Sequence, residues 1–229
     1  MRQFARYFWG MVVRPRDTLD ALAAQSSVRW GLAAAGLGVL QVWGNMALHA
    51  LFGLDWLGTR GLLTDPTLVV GFGQVPVRLA GYVPLLAALL PILTLFAVAA
   101  TAGLAQLVCK PWRGQGTFEQ MVNTLAFASA VPGILIGASS EWVFGVPMGL
   151  LTGHPYWWAA AMSGELGRPL GLAWNGYVFG VYLGANYLWQ IGLTCLALRR
   201  VQKVPAWAAV ALGLVLFLAD MGFWSVFIR

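Results

Sequence analysis

The sequence predicts an all-α protein: a polytopic membrane bundle of five transmembrane helices, preceded by an amphipathic N-terminal helix at the interface. Three observations predict it. Only 10% of the 229 residues are charged and 59% are hydrophobic, with a mean hydropathy of +0.73. A soluble domain carries about 25% charged residues. Charge-poor stretches at 30–52, 81–108, 121–140, 171–198 and 204–228 each reach the roughly 20 residues that a bilayer-crossing helix needs. The basic residues gather at the ends of these stretches, as membrane-surface attraction requires. No segment has the polarity of a soluble domain, so residues 1–229 read as a single membrane domain.

The first segment is short and amphipathic. Phe4, Phe8, Met11 and Val12 follow i, i+4, i+7, i+8 spacing, with Arg2 and Arg6 off that face. Such a helix lies on the inner membrane surface or packs on the inner ends of the spans. Pro15 is expected to end it. Asp17 or Thr18 then starts a second short helix carrying Leu19 and Leu22. Residues 1–14 lack the long apolar core of a cleavable signal peptide, and none is expected.

The first span carries Gln41, Asn45 and His49 at i, i+4, i+8, a single polar stripe. Segment 53–80 is rich in Gly and Pro and too apolar for a solvated linker. It is expected at the outer interface, as is segment 141–170. The second span, 81–108, ends at an inner loop from Lys110 to Gly116. The third begins in "GQGTFEQMVNTLAFASAVPG", residues 114–133. Here Thr117, Phe118, Glu119 and Gln120 form a capping-box sequence, in which Thr117 accepts from a helix N–H and Gln120 reaches back. Glu119 sits where the helix dipole favours an acid. Pro132 falls near mid-span, where it frees a carbonyl and permits a kink. The earlier Arg14-Pro15-Arg16-Asp17-Thr18-Leu19-Asp20 echoes the pattern of Thr, apolar residue and acid.

On the fourth span, Asn175, Asn186 and Gln190 fall within about 60° of one another at helical spacing. Gly176, Gly180 and Gly184 form a small-residue face that lets another helix, in the same bundle or in a partner, approach closely. The fifth span holds Asp220. An ionised acid at mid-bilayer costs on the order of 3 kcal/mol, so this residue must face the bundle, pair or be protonated.

Orientation follows from the basic residues. With the N-terminus inside, the inner segments hold Arg2, Arg6, Arg14, Arg16, Arg29, Lys110, Arg113, Arg199, Arg200 and Lys203, against Arg60, Arg78, Arg168 and Arg229 outside. This bias places the N-terminus inside and the C-terminus outside. Trp9, Trp30, Trp112 and Trp207 fall at the inner boundary, and Trp56, Trp142, Trp157, Trp158, Trp174 and Trp224 at the outer one. They read as aromatic belts.

Two stretches, "RPRDTLDAL" and "GQGTFEQMVNTLAFASAVPG", resemble the Yip1-domain family of five-span integral membrane proteins. The motif residues are Pro15 and Thr18 in the first, and Gly114, Gly116, Thr117, Phe118, Gln120 and Pro132 in the second. The layout resembles the family over most of the chain; the motifs cover about thirty residues. The resemblance implies a cytoplasmic N-terminus, an outward C-terminus and a prokaryotic-type member. Eukaryotic members carry a polar cytosolic N-terminal region and associate with Rab-type GTPases. This sequence lacks that region, which argues against a GTPase partner.

Several function classes fall away. The net charge of +6 lies at span ends, so no nucleic-acid partner is expected. Cys109 and Cys195 lack a C-x-x-C or Cys/His context, which makes a metal site unexpected and free, packed thiols expected. No H-E-x-x-H, G-x-S-x-G or phosphate-loop motif occurs, so the protein reads as non-catalytic and without a cofactor. The leading expectation is a Yip1-like protein of the bacterial inner membrane. It would organise lipid or serve as a scaffold subunit bound to a membrane protein partner or to copies of itself. The alternative is a small ion- or proton-coupled transporter or channel, using an outer-half polar cluster around Asp220. A weaker one is a pigment- or haem-binding subunit using His49 or His154.

Overall fold

The computed structural model describes residues 1–51, 69–70, 73–74, 83–139, 143, 147, 150 and 184–227. Within them the chain is all-helical apart from one antiparallel pairing, β1 (Val69–Val70) with β2 (Gly73–Gln74). The described helices are α1 (Arg2–Val13), α2 (Pro15–Ala23), α3 (Arg29–Leu51), α4 (Val83–Cys109), α5 (Phe118–Pro132), α6 (Tyr187–Val201) and α7 (Ala206–Phe227). Among the described residues, Ala88–Trp112 and Phe118–Gly137 are long and apolar enough to cross a membrane, and Ala206–Asp220 is a shorter apolar helix.

α5 is the central helix. It packs against α1, α2, α3, α4 and α6. Its apolar segment is 61% buried, against 28% for that of α4. Met121, Val122, Leu125, Phe127 and Val131 are buried along it. Gly31 lets α3 reach this helix. A Cβ at Gly31 would lie 2.7 Å from the Val122 carbonyl oxygen, closer than packed atoms approach.

The N-terminal segment differs in detail from the expectation. Its apolar face turns into the bundle and includes Tyr7 beside Phe8 and Met11, all buried. Phe4 stacks on Phe127 at 5.3 Å between ring centroids, and Tyr7 meets Trp30 edge-on at 5.5 Å. Val12, expected on the same face, is 36% exposed, because the buried stripe runs through Tyr7 instead. α1 ends at Val13, before Pro15 as expected, and Pro15 also begins α2. It occupies the first helical position, where a missing N–H costs nothing and the fixed φ suits a helix. Thr18 therefore lies inside α2 and donates its hydroxyl to the Arg14 carbonyl at 2.9 Å. α2 has no side-chain cap, so the echo between the two Thr motifs is one of sequence and not of structure.

Pro132 does not break its helix. The chain continues from α5 as a π-helical stretch, Gly133–Ala138. The proline lacks the N–H that an α-helix would use there, and wider winding carries the chain on. A second proline, Pro91, lies inside α4.

The tight α3–α5 contact yields a prediction. Gly31→Val should lower stability by about 1–3 kcal/mol through overpacking. Gly36→Ala, where a Cβ meets nothing within 4 Å, should leave stability unchanged or slightly raised. Thermal melts of both variants in one detergent check this; equal melting temperatures would refute the close approach.

Candidate functional site

Two polar assemblies stand out in an otherwise apolar bundle. The first joins the start of α3, the end of α4, the start of α5 and the end of α6. The sequence enters it through a tight turn, Lys110–Trp112, closed by Arg113 at φ 54°. Gly114 and Gly116 then run beneath the end of α6. A side chain at Gly114 would collide with Gln202 Oε1, and a Cβ at Gly116 would lie 2.5 Å from Val201 Cγ1.

Gln202 is 1% exposed. Its Oε1 accepts from the Gly116 N–H at 3.2 Å, and its Nε2 donates to the Gly116 carbonyl at 3.4 Å. The same carbonyl accepts from Gln106 Nε2 at 3.2 Å. The capping box is complete: Gln120 N–H donates to Thr117 Oγ1 at 3.3 Å and Thr117 N–H donates to Gln120 Oε1 at 2.9 Å. One turn on, fully buried Asn123 reaches across to α3. Its Oδ1 accepts from the Gly31 N–H at 2.8 Å, and its Nδ2 donates to the Ser27 carbonyl at 2.9 Å. Asn123 thus caps the first turn of α3 from a neighbouring helix, where N–H groups have no intrahelical partner. Asp20 of α2 pairs with Arg200 of α6 at 3.3 Å. This ion pair is half-exposed and contributes little.

The second assembly is a cavity of about 370 Å³ between α3, α4, α5, α6 and α7. That is small but within the range of ligand pockets, about 300–1,000 Å³. Gln41 lines it from α3, Ser129 from α5, Asn186 and Gln190 from α6 and its N-cap, and Asp220 from α7. Thr94, Thr101 and Thr194 add hydroxyls. Asp220 is the one charged side chain among the described lining residues.

Some of these groups are committed to their neighbours. Gln41 Nε2 donates to the Gly133 carbonyl at 3.3 Å, at the start of the π stretch. Gln190 Nε2 donates to Ser129 Oγ at 3.2 Å. Thr94 Oγ1 donates to the Leu90 carbonyl at 2.8 Å, beside Pro91. Asn186 differs. It is 6% exposed, and its Oδ1 is buried without a hydrogen-bond partner.

The cavity therefore brings together Gln41, Asn186, Gln190 and Asp220 from the predicted polar cluster. Asn45 and His49 lie on α3, but their side chains fall outside the described residues, as do Asn175, Gly176, Gly180 and His154. Gly184 is described, half-buried in a π-wound turn before α6. Cys109 and Cys195 are free thiols, the first buried. Among the described residues no group of three His, Cys, Asp or Glu could hold a metal ion. Sequence reasoning missed Gln106, Asn123 and Gln202. An amide standing alone in an apolar run was the available signal for Asn123. It also missed Thr94 and Thr101, whose i, i+7 spacing places them on one face of α4.

No protein-family model matches the chain, and no curated protein or solved structure matches it.

The first assembly predicts a ranking. Gln202→Ala strands the Gly116 N–H, leaves its carbonyl to Gln106 alone, and should cost about 1–3 kcal/mol. Thr117→Ala removes one exposed cap and should cost about 1 kcal/mol. Melting temperatures of the purified variants should fall in that order. A larger loss for Thr117→Ala would show that the buried amide is not the main tie.

Proposed function

We propose that this chain is a five-span, non-catalytic integral membrane protein of Yip1-like layout, with its N-terminus inside and its C-terminus outside. It resides in the bacterial inner membrane and acts as an accessory or organising subunit for a membrane protein partner. The observation that carries this reading is the outer surface of the helices. Ile92 and Phe96 on α4, Leu188 on α6 and Leu218 on α7 are each more than 60% exposed. Soluble proteins rarely expose apolar patches of this kind, and lipid or an apolar partner covers them at no cost.

The motif residues support the Yip1-like part of the proposal. Gly114, Gly116, Thr117 and Gln120 belong to one interlocked inner assembly, so the resemblance falls on residues with a shared physical task. The inner surface is also basic. Arg14, Arg16, Lys110 and Lys203 are exposed there, and such groups attract anionic lipid by about 1 kcal/mol each near the surface. α1 contributes exposed Trp9 and Val13 at the same level, which suits an interfacial position.

Two measurements test the proposal. In a Cys109→Ala, Cys195→Ala background, Gln3→Cys should react with an impermeant maleimide only from the inner side, and Arg229→Cys only from the outer side. Labelling of both from one side would exclude an odd number of spans. Purification from the native membrane in mild detergent should give a complex with defined companions. A bare monomer would sink the accessory role.

A further inference from the structure

We propose that the mid-bundle cavity binds an uncharged amphiphile, a molecule with an apolar body and a hydroxyl group, whose O–H donates to Asn186 Oδ1. This goes beyond the accessory role and holds whether or not a protein partner is present. Asn186 is the starting point. It lines the cavity, is more than nine-tenths buried, and its Oδ1 has no hydrogen-bond partner among the described residues. A buried amide oxygen left in that state is costly. A ligand that brings a donor removes the cost.

The neighbouring groups suit the same chemistry. Gln41 commits its Nε2 to the Gly133 carbonyl and Gln190 commits its Nε2 to Ser129 Oγ, so each retains its Oε1 acceptor. Thr94 has given its proton to the Leu90 carbonyl and keeps lone pairs alone. The hydroxyls of Thr101 and Thr194, also on the wall, rotate to donate or accept. A ligand hydroxyl, with one donor and two acceptor lone pairs, matches that mixture. Asp220 lines the same cavity and already has a partner, so the ligand carries no charge on its account.

The apolar body follows from the remaining wall. Most of the described lining is apolar, including Ala34, Val42, Leu90, Leu125, Leu216 and Phe217. Water alone would satisfy the Asn186 oxygen but would wet these side chains, and an apolar body removes that cost. Ligand pockets combine the same two elements, an apolar lining and a few placed polar groups. Backbone winding makes room for the ligand. The π stretch Gly133–Ala138 contributes Gly133 and Gly137 to the wall, and residues 184–186, π-wound ahead of α6, contribute Asn186. Such winding is rare and concentrates at functional sites. The cavity, at about 370 Å³, holds a short chain.

The test is photolabelling of the full-length protein with a diazirine derivative of octanol, in nanodiscs of phosphatidylcholine, a lipid without a hydroxyl. Light expels dinitrogen, the carbene inserts into nearby bonds, and peptide mass spectrometry maps the labelled residues. Labels should concentrate on the cavity-lining residues of α3, α5 and α6. Octanol should displace the probe about tenfold better than heptyl methyl ether, its isomer without an O–H. Asn186→Leu should erase that preference. Gly38→Leu, at a lining position where a Cβ meets nothing within 4 Å, fills the cavity and should abolish the labelling. Should Asn186→Leu fail to fold, Gly38→Leu and the comparison of alcohol with ether still decide. Displacement by monooleoylglycerol as well as octanol assigns a membrane lipid as the source, and displacement by octanol alone a short-chain alcohol; both support the site. Labels scattered over the lipid-facing residues, equal displacement by alcohol and ether, or labelling unchanged in the folded variants would each overturn the proposal.

Discussion

The backbone of Gly116 is the point on which the bundle depends. Its N–H and carbonyl are both taken by buried Gln202, at the end of α6, and its carbonyl also holds Gln106 of α4. One residue therefore ties three chain segments at the start of the central helix. The tie requires glycine, because a Cβ at Gly116 would press on Val201 and one at Gly114 would strike Gln202 itself. It also requires a fixed start for α5, which the Thr117–Gln120 capping box supplies. Shifting that start by one residue would rotate α5 by about 100°, taking Asn123 away from α3 and Phe127 away from Phe4 and Tyr7. Apolar packing alone would resist such a shift less, since burial of apolar surface is non-directional.

The threonine and glutamine of this motif were legible in the sequence because their logic is local. A cap needs a hydroxyl and an amide three residues apart, and no tertiary contact is needed to see that. The helices were legible for a related reason: long charge-poor runs leave few alternatives. Stretches 30–52, 81–108 and 204–228 correspond to α3, α4 and α7 within two residues at each described end. What resisted reading was local sequence with a tertiary role. Gln202 follows Arg199 and Arg200 and looks like part of a solvated basic turn, yet it is buried. Thr18 looks like a cap, but Pro15 claims the helix start and leaves it an interior position. The amphipathic spacing of α1 was visible, while its partner was not, because the same stripe suits a membrane surface and the inner ends of a bundle.

The cavity shows a similar division. Gln41 on α3 and the amides of Asn186 and Gln190 were visible from spacing alone. The hydroxyls of Thr94, Thr101 and Thr194 were not, because threonine is common in apolar helices and bonds back to its own turn. Thr94 does that with Leu90, and still presents lone pairs to the cavity. Convergence of five helices on one volume is a property of packing, which no single stretch encodes.

Both prolines inside the long helices stand next to this cavity. Pro91 lies between the lining residue Leu90 and Thr94, and Pro132 immediately precedes the lining residue Gly133. Each removes an N–H and loosens the backbone ladder beside it, and such irregularity at membrane depth persists only where protein satisfies it. Beside these prolines Gln41 donates to the Gly133 carbonyl and Thr94 to the Leu90 carbonyl. The Gln190–Ser129 bond in turn fastens α6 to α5. The Gln41–Gly133 and Gln190–Ser129 contacts have a sufficient structural reason, namely interhelical hydrogen bonding worth about 0.6–2 kcal/mol each. Subtracting them separates glue from site. Asn186 is what remains: it bridges no pair of helices through its Oδ1, and an apolar residue of similar size would pack at that position without a buried polar cost.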